Sequence, residues 1–327
     1  MKSRFFGKLR KSKAGVGIRQ VIREWPGYQQ IPNPYSADSA KSKLREMFSF
    51  ISATLIMDKF TKQKIRNTRT LQNSKESPVL LIGSGPSAKF LTIEQILYFK
   101  SIGGQIAVMN SFFRTELAKQ VVPDYYLIVD PDFWYPKFKN LSKDRENIVE
   151  FIEKAGPYVT IVQPAMLDPI VTNHQNYIFI DGRSVQGLRR LARPDKPWGL
   201  PPSVALYAIA TLKFLGHKMV YFTGLDSNFI NFFFANDLNI IVNMAHGQYS
   251  YEVDQENKDY LEPLKPEEEL KLPFRHLADL NYAHGIFLRD MYYLCKSGCI
   301  NVGNDRTNDA APRACLLPRN IEKQENS

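Results

Sequence analysis

The chain alternates short apolar segments with segments of helical length, and this alternation constrains its fold more than any other feature. Strand-like runs occur at residues 79–82, 105–109, 125–130, 158–163, 177–180 and 219–223, with helical or turn segments between them. This pattern predicts parallel strands joined by crossover helices. Because such sheets bind ligands at the carboxyl ends of their strands, the residues directly after each strand are the first candidates for function.

A glycine-rich segment, Gly-Ser-Gly-Pro-Ser-Ala at residues 83–88, follows the first strand directly. Its G-x-G-x-x-A spacing is typical of loops whose backbone amides approach a phosphate. A structural tight turn is the alternative. A dinucleotide site would carry an acidic residue at the end of the second strand, where this chain has Asn110, and Pro86 disturbs the helix start. The segment therefore indicates a nucleotide loop other than one for NAD.

Polar side chains end three further strands of the predicted sheet: Asn110, Asp130 and Asp226. Together they would project into one crevice, as a nucleotide or sugar pocket requires, although each alone can be a cap or turn former. Asp130 and Asp132 also form an Asp-x-Asp pattern, by which carboxylate oxygens can hold a divalent metal.

Two residues at predicted helix starts complete the candidate site. Ser203 precedes the apolar helix 204–215. It is either an N-cap alone or a cap that also contacts a phosphate or a base. His276 lies at the start of a long predicted helix of about 277–296. It is either a surface residue or a general base for an attacking hydroxyl.

The positive charge of the chain is concentrated at its N-terminus. The formal net charge is +10, but residues 1–75 hold 17 basic and four acidic residues, a net of +13, which leaves the other 252 residues at −3. This distribution indicates a nearly neutral domain with a basic extension and excludes a uniformly basic nucleic-acid-binding domain. Residues 41–60 have the spacing of an amphipathic helix, which either packs on the domain or lies on an anionic membrane surface. In the second case residues 1–60 would contact that surface.

These features predict three regions. Residues 1–77 form the basic extension, with a polar linker at 61–77; residues 78–319 form the nucleotide-sugar-binding domain, with a lid insertion at about 226–272; residues 320–327 form a disordered tail. The three cysteines are too few for a disulfide framework, and the first 13 residues have no apolar core of a signal peptide. We expect a cytoplasmic protein, peripheral at the inner membrane face if the extension binds lipid.

The segments VLLIGSGPS, IAVMNSFF, VVPDYYLIVDPD, PPSVALYAIATLKFLGHKMVYFTGLD and INVGND occur in that order. In this order and spacing the chain resembles the MptE-like Rossmann domain shared with bacterial motility accessory factors. It is also similar to the bacterial sialyltransferases of surface glycans, whose first strand ends in G-N-G-P-S and whose central strand ends in G-I-D. The resemblance covers about residues 78–315. It implies an α/β, Rossmann-like fold with a mostly parallel sheet flanked by helices.

The resemblance to sialyltransferases implies an inverting glycosyltransferase with a CMP-nonulosonate or related donor and a glycan or glycolipid acceptor. His276 would be the catalytic base, and no cofactor would be required. Three features depart from that family: Ser84 replaces its asparagine, Asn228 and a cluster of phenylalanines replace its tyrosines, and the arginine expected before the central helix is not at its place. Carried over by position, the donor would contact Gly83, Ser84, Gly85, Ser87, Asn110, Asp130, Ser203 and Asp226.

Two other functions are compatible with the same residues. The MptE-like branch includes pterin pyrophosphokinases, in which Mg²⁺ on Asp130 and Asp132 would position ATP. A non-catalytic nucleotide-binding protein of glycan assembly is the third reading. None of the three involves a nucleic acid as partner.

Overall fold

A computed structural model describes residues 58–130, 133–134, 139–182, 193–196, 204–226, 233–235, 241–243, 287, 291–296 and 298–303. Its helices are α1 (Lys59–Thr70), α2 (Ile93–Ser101), α3 (Lys139–Ala155) and α4 (Val204–Leu215). Residues 291–295 are also helical, and short 3₁₀ helices cover Pro86–Phe90, Asn110–Arg114 and Glu116–Lys119. The strands are β1 (Val79–Ile82), β2 (Gln105–Met109), β3 (Tyr125–Leu127), β4 (Thr160–Pro164), β5 (Tyr177–Ile180), β6 (Val220–Thr223), β7 (Phe233–Ala235), β8 (Ile241–Asn243) and β9 (Cys299–Asn301).

Seven strands form one sheet in the order β5-β4-β3-β2-β1-β6-β9, and every neighbouring pair is parallel. This confirms the predicted Rossmann-like α/β fold. All four residues of β1 are buried, as expected for a central strand covered on both faces.

Apolar residues cover both faces of the sheet and form two separate cores. On one face, alternate residues such as Leu81 and Phe222 pack with α4, which is buried along nearly its whole length. On the other face, Leu80 and Ile82 pack with side chains of α2 and α3. This two-sided burial is the doubly wound arrangement that places a ligand crevice at the carboxyl edge of the sheet.

The interpretation of residues 61–77 as a polar linker is wrong for their first ten residues, which belong to α1. The helix begins at Asp58, whose carboxylate accepts the Thr61 N–H at 2.9 Å, and it buries Thr61, Ile65 and Thr68. Because two of these three contact residues are threonines, the sequence shows no apolar stripe. Helix α1 packs against β5, the edge strand of the sheet.

The hydroxyl of Thr68 bonds to both outward-facing backbone groups of Phe179 in β5. It donates to the carbonyl oxygen at 2.8 Å and accepts the N–H at 3.1 Å. Unpaired groups on an edge strand invite association with another chain. Thr68 therefore supplies hydrogen-bond partners for the Phe179 N–H and carbonyl groups, which would otherwise be unpaired at the sheet edge.

Part of the predicted lid is ordered as strands. Strands β7 and β8 pair antiparallel as a separate two-stranded sheet. Residues 227–232, 236–240 and 244–272 of the lid lie outside the described residues. The same holds for residues 41–57 of the predicted amphipathic helix and for the tail. Across the described ranges, no helix combines the length and the apolar character needed to cross a lipid bilayer.

Candidate functional site

The direction of winding reverses at β1, the central strand of the sheet. The chain runs from β1 through β2 and β3 towards one edge, whereas β6 and β9 lie on the other side of β1. The loops after β1 and β6 therefore begin side by side at the carboxyl edge, which is where open α/β sheets hold their ligands. The glycine loop and the Gly224–Asp226 segment meet at this point.

Backbone hydrogen bonds join these two loops. The Gly83 N–H donates to the Thr223 carbonyl at 2.8 Å, and the Gly85 N–H donates to the Gly224 carbonyl at 2.9 Å. In return, the Gly224 N–H donates to the hydroxyl of Ser87 at 2.8 Å. The two loops thus form one joint, in which glycines bring the backbones together.

Two structural constraints require glycine at position 224. Its φ is +68°, in the left-handed region, and a Cβ atom there would lie 2.5 Å from the Gly83 carbonyl oxygen. A Cβ at Gly85 would overlap the Asp226 carboxylate. Close approach between the loops, as well as access to a ligand, therefore accounts for the glycine spacing.

Asp226 and Ser87 contact each other. The Asp226 carboxylate accepts the Ser87 backbone N–H at 2.7 Å, and both residues are buried. Ser87 is in the first turn of the 3₁₀ helix Pro86–Phe90, so the carboxylate lies where an anion bound to that turn would lie. The Ser87 N–H and hydroxyl are thus bonded within the protein, whereas Ser84 and Gly85 are partly exposed.

A third loop, after β9, reaches the same joint. The Gly303 N–H donates to the Asn301 side-chain oxygen at 2.9 Å, and a Cβ at Gly303 would lie 2.8 Å from the Ser87 hydroxyl. Asn301, Gly303 and Thr223 are not among the site residues predicted from the sequence. Their signal was available, because all three lie at the carboxyl ends of β6 and β9.

Asn110 follows β2 with an unusual backbone conformation. Its φ is +44°, and the Tyr126 hydroxyl donates to its carbonyl oxygen. Its side-chain Oδ1 is buried, and no residue in the described part of the chain donates to it. Buried amide oxygens are normally satisfied, so this unsatisfied oxygen and the positive φ together make Asn110 a candidate ligand contact.

Asp130 follows β3 and is exposed, and its carbonyl oxygen accepts the Phe133 N–H at 3.3 Å. Of the residues that the structure describes, no three His, Cys, Asp or Glu side chains are grouped so that they could hold a metal ion. Asp132, the second carboxylate of the Asp-x-Asp pattern, lies outside those residues, as do Ser203 and His276.

Two other histidines are described, and both have structural contacts. His217 is buried just before β6, with Nδ1 2.8 Å from the Ser77 carbonyl oxygen, to which it donates. Burial lowers its pKa, so the ring is held neutral. His174 Nε2 lies 2.6 Å from the Val159 carbonyl oxygen. These two residues precede β6 and β5, at the amino end of the sheet, away from the loop joint.

Comparisons with known proteins identify similarity at the level of solved structures. No family model matches the chain, and no curated protein matches it. Among solved structures, it is similar to the MAf glycosyltransferase from Magnetospirillum magneticum AMB-1, with a TM-score of 0.34 and 14% identity. The match covers 74% of this chain and 47% of that one, so the chain spans about half the length of that structure. At this level the similarity does not assign an activity to the chain.

Proposed function

We propose that this chain is a glycosyltransferase that takes its sugar from a CMP-nonulosonate or a related nucleotide-sugar and transfers it with inversion to a glycan or glycolipid acceptor. The observation that carries the proposal is the side-chain oxygen of Asn110, unsatisfied among the described residues, at the carboxyl edge where the winding of the sheet reverses. This buried Oδ1 needs a hydrogen-bond donor, and ribose hydroxyls and the cytosine amino group both provide one.

The charge at the loop joint favours a donor with a single phosphate. A dinucleotide would place its pyrophosphate at the helix start after the glycine loop, but there the Asp226 carboxylate already accepts the Ser87 N–H. A CMP-linked sugar has one phosphate, which can contact the partly exposed Ser84 and Gly85. In this proposal Ser87 and Asp226 position the loop, and Gly83 allows the close approach of β6.

The catalytic step is assigned from the sequence. His276 would remove the proton of an acceptor hydroxyl, whose oxygen attacks the anomeric carbon while the bond to the CMP phosphate oxygen breaks. Ser203 at the start of α4 and the loop amides would bind the departing phosphate. Since CMP leaves as a stable monophosphate, no metal is needed to balance its charge.

Nucleotide binding tests this proposal directly. The unfolding temperature of the full chain would be measured with CMP, CDP, UDP, GDP and ATP, each with and without Mg²⁺. We expect CMP to stabilise the protein without Mg²⁺, by about 2.7 kcal/mol when its concentration is 100 times its dissociation constant. Stabilisation by ATP alone, and only with Mg²⁺, would contradict the proposal and favour the pyrophosphokinase that uses Asp130 and Asp132.

A second measurement separates an enzyme from a binding protein. Hydrolysis or transfer of a CMP-linked sugar should fall by about 100-fold or more in His276→Ala, because general base catalysis contributes about 10²- to 10⁴-fold. Binding of the donor should be retained in that variant. Donor binding without turnover in the unmodified chain would instead identify a non-catalytic nucleotide-binding protein.

A further inference from the structure

The outward face of α1 presents a row of cations on a helix that is fixed to the domain. Lys59, Lys62 and Arg66 are exposed and lie on one side, since their spacing of three and four residues corresponds to about one helical turn. Asp58 is the single acidic residue from position 58 to 70, and its carboxylate caps the helix start. Within the described residues, none of the three cations has an ion-pair partner.

Contacts with the domain hold this helix in place. Thr68 bonds to Phe179, and Arg69 Nε lies 2.8 Å from the buried carboxylate of Asp195. Lys64 points along the domain, with its amine 3.3 Å from the Ala165 carbonyl oxygen and 3.4 Å from that of Leu167. Because these contacts fix the helix on the sheet edge, Lys59, Lys62 and Arg66 remain on its solvent-exposed side.

Exposed apolar side chains lie on one flank of α1, beside Lys64, whose amine is 4.8 Å from the centre of the Phe60 ring. Phe60 is 71% exposed, and Met166 is 38% exposed between the two carbonyl groups that bond to Lys64. A double-stranded nucleic acid, which presents its phosphates outward, gains little from an exposed phenylalanine and methionine, whereas a single strand can stack on a phenylalanine but has no use for the methionine. A lipid surface accommodates both, since its headgroups attract the cations and the boundary below them takes apolar side chains.

We propose that the exposed surface of α1, with Lys59, Lys62 and Arg66 along it and Phe60 and Met166 on its Lys64 flank, is a docking surface for an anionic lipid bilayer. This surface is separate from the crevice and does not rest on the proposed enzymatic function. It differs from the expectation for residues 1–60, because it belongs to a helix packed on the sheet edge. The carboxyl edge of the sheet would then be held at a defined orientation to the membrane.

Vesicle binding of the full chain tests this surface. Flotation would use vesicles of 30% phosphatidylglycerol in phosphatidylcholine at low salt, with the triple variant Lys59→Gln, Lys62→Gln, Arg66→Gln. Each cation near an anionic surface contributes about 1 kcal/mol, so its loss should weaken partitioning about fivefold, and the triple variant on the order of 100-fold. The matched control carries Lys100→Gln, Lys119→Gln and Lys218→Gln, which has the same net charge and should bind like the unmodified chain.

Two further measurements decide the outcome. Phe60→Ser together with Met166→Ser should weaken binding to the same vesicles without changing the net charge. A single-stranded RNA of 20 nucleotides should bind much more weakly than the vesicles at equal salt. The proposal would be overturned if the triple variant and its charge-matched control lost vesicle binding equally. It would also be overturned if the two serine substitutions had no effect on vesicle binding, or if RNA bound more tightly than the vesicles. Unfolding temperatures of all variants should match that of the unmodified chain, since every substituted side chain is solvent-accessible.

Discussion

Asp226 and Ser87, 139 residues apart in sequence, are joined by a hydrogen bond of 2.7 Å from the Ser87 N–H to the Asp226 carboxylate. Replacing Asp226 with Ala leaves this buried N–H without its acceptor, which should lower the free energy of unfolding by about 1–3 kcal/mol. Urea unfolding at pH 7 measures the effect. Asp226→Asn retains an acceptor oxygen and should lose less, so an equal loss in both variants would show that the hydrogen bond is not the cause.

Gly224→Ala should be strongly destabilising because a methyl group there meets the Gly83 backbone as well as an unfavourable φ of +68°. The control is Gly103→Ala, where φ is +84° and no atom lies within 4 Å of the added Cβ. The backbone conformation alone costs about 1–2 kcal/mol at either position. We expect Gly224→Ala to exceed Gly103→Ala in urea unfolding, and similar values would mean that the two loops separate readily.

Thr68→Val should open the sheet edge at Phe179. Valine keeps the shape of threonine but leaves both Phe179 backbone groups without the hydroxyl, at a cost of about 1–3 kcal/mol. Hydrogen exchange of the Phe179 amide should accelerate. Thr70→Val is the control, because Thr70 is an exposed residue of the same helix whose hydroxyl bonds only within it. Unchanged exchange in Thr68→Val would exclude a role for the hydroxyl at the edge.

Stability should depend on pH through His217. Burial lowers its pKa in the folded state below the ordinary value of about 6.5, so at acidic pH the unfolded chain binds a proton that the folded chain does not. Above about pH 6.5 the titration of His217 should therefore leave the free energy of unfolding unchanged. At lower pH this group should reduce the free energy of unfolding by at most about 1.4 kcal/mol per pH unit. Urea unfolding at pH 7.5 and 5.5 should show a smaller decrease in His217→Gln; an equal decrease would assign the pH dependence to other groups.

Asn110→Gly should weaken CMP binding without weakening the fold, if the proposed function is correct. Glycine tolerates the φ of +44° but removes the amide oxygen, and one hydrogen bond of about 1 kcal/mol corresponds to about a fivefold loss of affinity. Asn73→Gly is the control, since Asn73 also has a positive φ, of 55°, and lies before β1. Calorimetric titration with CMP would distinguish the two, and equal affinity in both variants would remove Asn110 from the site.

The sheet was predictable because its strands are short apolar runs whose limits are set by glycine and polar residues. Strands β1, β2 and β5 and helix α4 match their predicted limits, and β6 differs from its prediction by one residue. Helix α1 was not predictable in this way. It packs through threonine hydroxyls and a lysine amine, and these contacts leave no apolar period in the sequence.

The candidate site was predictable in its position but not in its internal bonding. Parallel strands place their carboxyl ends together, so the meeting of Gly85 and Gly224 follows from the strand pattern. The bond between Asp226 and Ser87 does not, because a carboxylate after a strand is equally suited to a ligand and to a distant backbone N–H. The sequence likewise gives no sign that Asn110 adopts a positive φ.

Because β1 lies between β2 and β6, the crevice cannot exist until a segment more than a hundred residues downstream has been synthesised and has docked. Contacts of such separation close a long loop and form slowly during folding. The joint between the two loops is therefore expected to form late in folding, and ligand binding at the candidate site would report that β6 has docked on β1.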